Sequence, residues 1–347
     1  MTKKLVAVLA VLIAILAITV APAAQACTRA VYKAGDARIV TGRTMDWYED
    51  LYSDFWVFPK GMKRNGGVEP DPINWVSKYG SITTSAYDIA TADGMNEEGL
   101  VANVLYLAEA DYGNLDGKPA LSVGAWGQYA LDNYANVAEA VEGLSAEPFR
   151  IIAADLPNGF SAGAHLSLSD VTGDSAIFEY IDGKLVIHHG AEYDVMTNSP
   201  IYDEQLPLNA YWKEIGGLTF LPGTNRASDR FARASYYLGA VPKFNDPREA
   251  VAAAFSVIRN ASVPLGITDE AQPNVSTTIW RTVSDQKSLT YYFESTISPN
   301  VFWVEMDNLK LEEDAEPMKL ELKGHPILVG EVSAMFEPAD PFPWLAP

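Results

Sequence analysis

The residue best equipped for chemistry is Cys27, the only cysteine in the chain, which follows the small residues of segment 21–26, APAAQA. Cleavage between Ala26 and Cys27 would leave one residue that carries both a thiol and a free α-amine. A thiolate is a strong nucleophile, and an α-amine titrates near neutral pH, with a reference pKa of about 7.7–8.0. Such a residue can attack a carbonyl and move the proton with its own amine, so it needs no histidine.

The segment before Cys27 has the charged, apolar and small-residue order of a secretory signal peptide. Two lysines stand near its start, and residues 5–20 are apolar apart from one threonine. We therefore expect a signal peptide over residues 1–26 and export of the mature protein to the periplasm or beyond the cell. The alternative is a lipoprotein with the lipid on Cys27, although Ala24 stands where such sites usually carry a large aliphatic residue.

The charge of the chain limits its partners. The 347 residues carry a formal net charge of −20, with the acidic residues dispersed along the sequence. A surface of this charge repels phosphate backbones and anionic membranes, so we expect no nucleic-acid partner and, after leader removal, no membrane partner. A single cysteine cannot form an internal disulfide, and a free thiol in an oxidising compartment is best understood if it is used.

The four histidines indicate neither a metal site nor a Cys/His pair. His188 and His189 are adjacent, so on a strand they point to opposite faces and cannot bind one metal together. The chain also lacks the P-loop and HExxH patterns. We expect no metal and no cofactor, because the nucleophile, the base and the oxyanion donors can all come from side chains and the terminus.

Hydrophobic patterning predicts strands, helices, strands, helices and strands again, in that order. This order lacks regular β-α alternation, which argues against a doubly wound parallel sheet and favours two packed antiparallel sheets with helices outside. We expect helices over 121–144, 227–238 and 247–259, a turn over 93–99, and a Pro-rich surface segment from residue 337. The first two expected strands, 27–32 and 37–47, form a hairpin with a turn at 35–36. The other expected strands are 55–58, 80–87, 100–107, 165–170, 175–181, 184–188, 276–283, 288–294 and 301–306.

An amino-terminal cysteine needs a cation that favours thiolate, an acceptor for its amine and donors for the oxyanion. Arg43 and Asp46 lie on the strand that is expected to pair with the strand of Cys27. They are therefore candidate helpers. By spacing alone they can equally form a surface ion pair at a strand end.

Five motifs, taken in their order along the chain, resemble the choloylglycine hydrolase family, which includes penicillin V acylases and bile salt hydrolases and belongs to the N-terminal nucleophile hydrolases. The resemblance covers nearly all of residues 27–347. It implies an α+β fold, a four-layer αββα sandwich of two antiparallel sheets in a single domain, and hydrolysis of an acyl amide. The motifs are Cys27 at the mature N-terminus, GRTMDW at 42–47, DGMNEEGL at 93–100, MTNSP at 196–200, and LPG at 221–223 followed by SDRF at 228–231.

The resemblance implies a catalytic role for three residues near the mature N-terminus. Cys27 attacks the carbonyl, and its own α-amine relays the proton. Arg43 lies beside the sulfur and supports the thiolate. Asp46 holds the α-amine.

Three later residues receive supporting roles from the same resemblance. Asn198 donates to the oxyanion from its side chain, Tyr106 falls where the family places its other oxyanion-hole residue, and Arg230 is a second active-site arginine. The alternatives remain that Asn198, ahead of a Ser-Pro pair, simply forms a turn and that Arg230 is a helix-surface charge.

The residues at a few positions narrow the range of candidate substrates. Bile salt hydrolases tend to carry Asn at the position of Tyr106, so this tyrosine favours a penicillin acylase. Trp47 is either an aromatic wall for a phenoxyacetyl or fatty acyl group or a core residue. Segments 103–109 and 258–264 resemble the Gram-negative branch of the family, whose members also cleave N-acyl homoserine lactones.

We therefore expect an exported enzyme that cleaves the acyl amide of penicillin V or of N-acyl homoserine lactones, with a small-molecule acyl amide as its partner. The resemblance also implies a homotetramer. Two alternatives remain. One is a conjugated bile salt hydrolase, and the other is a non-catalytic periplasmic binding protein or lipoprotein on the same scaffold.

Overall fold

The structure is a computed structural model, and it describes residues 27–114, 117–267, 276–298 and 300–347. The predicted signal peptide lies outside the described residues. The described part contains five α-helices: α1 (Trp126–Asn133), α2 (Val137–Ser145), α3 (Tyr202–Ile215), α4 (Ala227–Ala240) and α5 (Pro247–Asn260). Its strands are β1 (Thr28–Lys33), β2 (Ile39–Trp47), β3 (Phe55–Phe58), β4 (Lys63–Asn65), β5 (Asn74–Val76), β6 (Ser81–Ala86), β7 (Ala90–Asn96), β8 (Val101–Tyr106), β9 (Ala120–Ser122), β10 (Arg150–Ile152), β11 (Ala164–Ser169), β12 (Ser175–Ile181), β13 (Lys184–His189), β14 (Val195–Met196), β15 (Thr277–Asp285), β16 (Thr290–Ser295), β17 (Val301–Glu305), β18 (Met318–Leu320), β19 (Gly330–Glu331) and β20 (Glu337–Pro338).

Two large sheets account for most of the strands in the described part of the chain. The first sheet has the order β14-β1-β2-β15-β16-β17-β19, and the second has the order β13-β12-β11-β8-β7-β6-β3-β18-β20. Neighbouring strands within these sheets run antiparallel apart from β17 and β19 at one edge, as far as the described residues extend. Mainly antiparallel sheets agree with the predicted class.

The two sheets pack face to face, with helices on their outer faces. Phe55 of β3 meets Tyr291 and Phe293 of β16 at ring-centroid distances of 5.4 and 5.2 Å. Helices α4 and α5 cover β1 and β2, α1 covers β7 and β8, and α2 covers β12 and β13. The predicted four-layer αββα sandwich is therefore confirmed.

The hairpin of β1 and β2 carries the first residues of the candidate site. Its antiparallel register places Thr28 opposite Thr44. Gly42 allows helix α5 to lie close to this hairpin, because a Cβ at Gly42 would sit 2.9 Å from a methyl carbon of Ile258. Helix α5 begins where expected, since Asp246 caps it by accepting from the next backbone N–H groups and a proline follows at the first helical position.

The turn predicted over 93–99 is too long, because β7 continues as far as Asn96. Gly94 pairs with the neighbouring strands on both sides. Only the last three residues turn, and Gly99 there adopts a φ of +77°, which a side chain would disfavour. Polar and glycine residues that resemble turn residues are here held in a sheet by their tertiary partners.

The single helix predicted over 121–144 is also wrong. Its first residues belong to β9 and to a 3-10 turn, and the rest is divided into α1 and α2. The division falls before Asn136, whose side chain accepts from the backbone N–H of Glu139 at 2.9 Å and so caps α2. An Asn in this position favours a new helix start over continuation.

The C-terminal segment is less exposed than expected, because Phe342 and Leu345 are buried. Helix α3 was not predicted, since Pro207 inside it disguises the helical pattern. No helix in the described ranges is both long enough and apolar enough to cross a bilayer.

Candidate active site

Cys27 lies immediately before β1, buried between the two sheets. Its Sγ is 3.8 Å from Nη2 of Arg43 and 3.5 Å from the backbone nitrogen of Asp46. The Sδ of Met45 is 3.8 Å away. The sulfur therefore faces one guanidinium, one N–H donor and an apolar neighbour.

The acidity of the Cys27 thiol is set by opposing effects. Burial raises its pKa, because the thiolate loses its hydration, and Arg43 lowers it by charge attraction. The carboxylate of Asp46 raises it, while the Asp46 backbone N–H and Arg230 lower it. Burial dominates in the resting site, so Arg43 is the main feature that makes thiolate accessible there.

The backbone of the second sheet holds Arg43 in place. Its Nη1 donates to the carbonyl oxygen of Ala92 at 2.6 Å, and its Nη2 donates to that of Val104 at 3.1 Å. The guanidinium also lies over the ring of Trp280, 5.0 Å from the ring centroid. These contacts cross from β2 to β7 and β8, so the packing of the two sheets fixes the charge beside the sulfur.

A buried carboxylate lies behind this guanidinium. Oδ2 of Asp93 is 3.8 Å from Nη1 of Arg43 and accepts from Nδ2 of Asn103 at 2.5 Å. Its other oxygen accepts from the hydroxyl of Tyr291. Burial raises the pKa of Asp93, and Arg43 opposes that rise. Asp93 thus balances the charge of Arg43 within the sandwich.

Asn198 connects three elements of the site. Its Oδ1 accepts from the backbone nitrogen of Cys27 and, at 3.0 Å, from Nη2 of Arg230. Its Nδ2 donates to the carbonyl oxygen of Tyr106 at 2.7 Å. The reverse amide orientation would set donor against donor at two of these contacts. Because an amide nitrogen carries two hydrogens, one remains for a further acceptor.

Arg230 fixes the backbone of the first residues of β1. From helix α4 its Nη1 donates to the carbonyl oxygen of Cys27 at 2.5 Å and to Oγ1 of Thr28 at 2.6 Å. Its Nε donates to the carbonyl oxygen of Asn225 at 3.0 Å. The side chain is fully buried, and burial lowers its pKa while Asp46 opposes this. Arg230 is therefore no helix-surface charge.

Asp46 lies close by, with its carboxylate bonded to two hydroxyls. Oδ1 accepts from Thr278 at 2.5 Å, Oδ2 accepts from Thr44 at 3.1 Å, and Nη1 of Arg230 is 3.8 Å from Oδ2. Burial raises the pKa of Asp46 to about 6, against the opposing effect of Arg230. In the full chain the nitrogen of Cys27 is an amide, and it meets Asn198 rather than Asp46.

An apolar cavity of about 110 Å³ opens beside the sulfur. Trp47, Tyr87 and Tyr106 supply aromatic walls, and several leucines, valines, alanines and glycines also line the cavity. Trp47 is buried, lines this cavity and donates from Nε1 to the Tyr87 hydroxyl at 3.1 Å. It is thus both a core residue and a wall residue.

The described residues hold no cluster of three or more His, Cys, Asp or Glu side chains placed to bind a metal ion. His188 is buried and His189 is exposed, so the two rings point to opposite faces of β13, as predicted. Segment 159–163, GFSAG, has the letters of a nucleophile elbow. It lies in a loop before β11 rather than in a strand-to-helix turn, so Ser161 lacks the required setting.

The structure brings together the residues that the sequence singled out, although their roles stay predictions. Sequence reasoning missed four residues that contact the other site residues: Thr44, Met45, Asp93 and Thr278. The first three belong to the motifs named above, so the sequence could have indicated them, whereas Thr278 belongs to none. The predicted residues that meet around the sulfur and the cavity are Cys27, Arg43, Asp46, Trp47, Tyr106, Asn198 and Arg230.

Comparison with known proteins gives a consistent result. A model of linear amide C–N hydrolases of the choloylglycine hydrolase family matches residues 27–320. A penicillin V acylase from Pectobacterium atrosepticum is 48% identical over 343 residues, covering 91% of each chain. The structure of a penicillin V acylase from Agrobacterium tumefaciens matches with a TM-score of 0.87 at 53% identity, covering 92% of this chain and 100% of that one. A mutant of the conjugated bile acid hydrolase from Clostridium perfringens matches with a TM-score of 0.74 at 20% identity, covering 87% and 98%, and this likeness shows the fold alone.

Proposed function

Because this chain belongs to the choloylglycine hydrolase family of linear amide C–N hydrolases, we propose that it removes the acyl group from penicillin V and from N-acyl homoserine lactones. The observation that carries this proposal is the apolar cavity that begins at Cys27 and is walled by Trp47 and Tyr106. An apolar acyl group is buried there while its carbonyl lies at the sulfur. Burial of the acyl side supplies most of the binding free energy, so two different leaving groups can be accepted.

The reaction proceeds through an acyl-enzyme on Cys27. The α-amine of Cys27 takes the proton of the thiol, and the resulting thiolate attacks the carbonyl carbon. The carbonyl oxygen takes up the negative charge near the unused N–H of Asn198. The amine then leaves with a proton from the Cys27 α-ammonium, and a thioester remains. Water, deprotonated by the α-amine, attacks the thioester, releases the carboxylic acid and regenerates the thiolate.

The base exists only after the leader has been removed. In the full chain the nitrogen of Cys27 belongs to the peptide bond with Ala26, and an amide nitrogen is not basic. Cleavage between these residues, during export to the periplasm, creates the amine. Asp46 and Asn198 are then the neighbouring acceptors that can hold it.

The relation between the polar groups supports this order of events. Arg230 donates to both the carbonyl oxygen of Cys27 and the side chain of Asn198. It therefore keeps the terminal residue in position when the peptide bond on its other side is gone. Arg43, bonded to two backbone carbonyls, keeps its charge at the sulfur.

The substitution Cys27→Ser tests the proposed nucleophile. We expect the variant to fold, because the side chain changes by one atom, and to lose at least about 1000-fold in kcat. Full turnover by Cys27→Ser would reject the assignment. Hydrolysis of penicillin V, a long-chain acyl homoserine lactone and glycocholate, measured side by side, tests the substrate class, and preferential turnover of glycocholate would identify a bile salt hydrolase instead.

We also propose that the enzyme assembles as a homotetramer. Exposed apolar side chains on α3 and the loop after it support this, since such a patch favours association with another protein surface. Light scattering coupled to size-exclusion chromatography measures the assembly state. The exposed residues are Leu206, Leu208, Tyr211, Ile215, Leu218 and Phe220.

A further inference from the structure

The C-terminal segment contributes to the cavity beside Cys27 through one side chain. Leu345 is buried, and it lines the same cavity as the sulfur. Its backbone nitrogen donates to the carbonyl oxygen of Ile89 at 2.8 Å, and its carbonyl oxygen accepts from Oγ of Ser122 at 2.5 Å. Two hydrogen bonds therefore fix the backbone of Leu345 independently of its side chain.

Strand β7 lines the cavity through its first residues, Ala90, Thr91 and Ala92. At one end the carbonyl oxygen of Ala92 accepts from Arg43, the residue beside the sulfur. At the other end Ile89, just before β7, accepts from Leu345. Ala92 is three positions after Ile89, which is about 10 Å along an extended chain. The backbone of Leu345 is therefore held about 10 Å along the chain from the point where Arg43 is held beside the sulfur.

Neighbouring residues hold the segment against the sandwich. Phe342 packs on Trp56 and Phe58, at ring-centroid distances of 5.3 and 6.0 Å. Trp344 occupies the space above Gly67, where a Cβ would lie 2.6 Å from the Cβ of Trp344. The packing of Phe342 and Trp344 thus anchors the chain just before Leu345.

Many of the other cavity-lining residues are small, so Leu345 is one of the larger side chains that bound the space. A cavity of about 110 Å³ is smaller than the roughly 150 Å³ of an engineered apolar cavity that binds benzene. Such a volume limits the size of the acyl group that can be buried there. Removal of the Leu345 methyl groups would extend the cavity at its closed end. The small lining residues are Ala86, Ala90, Ala92, Gly124, Ala162, Gly163 and Ala164.

We propose that Leu345 is the end wall of the acyl pocket and the specificity-determining residue that limits the length of the acyl group. The proposal rests on the acyl-amide hydrolysis proposed above. The matched family region ends at residue 320, so this wall comes from a part of the chain outside it. The identity of the wall residue is therefore a property of this chain's C-terminal segment.

The ratio of kcat/KM for decanoyl- over hexanoyl-homoserine lactone tests the end wall, because this ratio does not depend on the fraction of enzyme that is folded. Each buried methylene changes affinity about fourfold, so Leu345→Ala should raise the ratio at least about tenfold. Leu345→Phe, which fills the end of the cavity, should lower the ratio below that of the wild type. The second variant keeps the test decisive even if the first fails to fold.

Leu320→Ala is the matched control, because Leu320 is as buried as Leu345 (6% against 7% exposed) and does not line the cavity. We expect it to leave the ratio unchanged. A ratio for Leu345→Ala within twofold of the wild type, or an equal shift in Leu320→Ala, would overturn the end wall alone. A wild-type enzyme that hydrolyses no acyl amide in the series would overturn the proposed function, and the end wall with it.

Discussion

The guanidinium of Arg230 donates to the carbonyl oxygen of Cys27 at 2.5 Å, across 203 residues of sequence. The same guanidinium donates to Oδ1 of Asn198, which accepts in turn from the nitrogen of Cys27. Arg230 therefore restrains the residue on both sides of its Cα. A chain terminus is usually mobile, so in the proposed mature enzyme this restraint would hold the terminal nucleophile in place.

Arg230→Lys should lower kcat about 100-fold with little change in KM. A lysine keeps the positive charge but loses the planar guanidinium that donates to two acceptors at once. Cys27 would then be slightly misplaced, and a displacement of about 1 Å in an active site can lower the rate about 100-fold. Steady-state kinetics on penicillin V measure the changes in kcat and KM separately. Arg233→Lys is the control, because Arg233 lies on the same helix and bonds the carbonyl oxygens of Pro222 and Thr224 instead. Equal losses in the two variants would show that the effect of Arg230 is only structural.

The pH dependence of activity should include a contribution from Asp46. Burial raises its pKa to about 6, so the carboxylate is ionised above that pH and protonated below it. The proposed role requires the ionised form, which holds the α-amine. We therefore expect kcat/KM to fall as the pH decreases through about 6. A profile measured from pH 8 to 4 that stays level between pH 7 and 5 would contradict this.

Thr278→Val should move this acid limb to higher pH. The Thr278 hydroxyl donates to Asp46 at 2.5 Å, and this hydrogen bond lowers the pKa of Asp46 by stabilising its ionised form. Valine has the same shape and no donor. Thr278→Ser, which retains the donor, should keep the wild-type profile, and superimposable profiles for the two variants would remove Asp46 as the titrating group.

Much of the fold follows from local patterns, and the exceptions have physical causes. The first hairpin and most strands follow from alternating apolar residues and their turn signals. The extension of β7 through Asp93 does not follow from local patterns, because Asp93 is a residue type that favours turns. Its carboxylate accepts hydrogen bonds from Tyr291 and Asn103, which lie on other strands. Helix α3 was missed because Pro207 inside it reads as a break.

The candidate site divides in a similar way. Hairpin pairing made Arg43 and Asp46 candidate helpers of Cys27, although spacing alone left a surface ion pair equally open. Contacts that join distant parts of the chain could not be predicted from local pairing. Asn198 and Arg230 were therefore identified only by their resemblance to the family's motifs. Thr278 carries no sequence signal, since its hydroxyl reaches Asp46 across 232 residues.

The wall contributed by Leu345 was likewise beyond local reasoning. The Pro-rich composition of the C-terminal segment predicts surface structure, and much of the segment is exposed. The burial of Leu345 depends on its hydrogen bonds to Ile89 and Ser122, which lie far from it in the sequence. Composition alone does not report such partners.

The mature N-terminus is the most direct test of the account. Intact-mass spectrometry and N-terminal sequencing of the exported protein, combined with an assay of amide hydrolysis on the same sample, measure it. We predict an active protein that begins at an unmodified Cys27, and no activity when a residue is retained ahead of it. An active protein that begins at another residue would contradict the account. So would an active protein in which the Cys27 nitrogen is acylated or the Cys27 sulfur carries diacylglycerol.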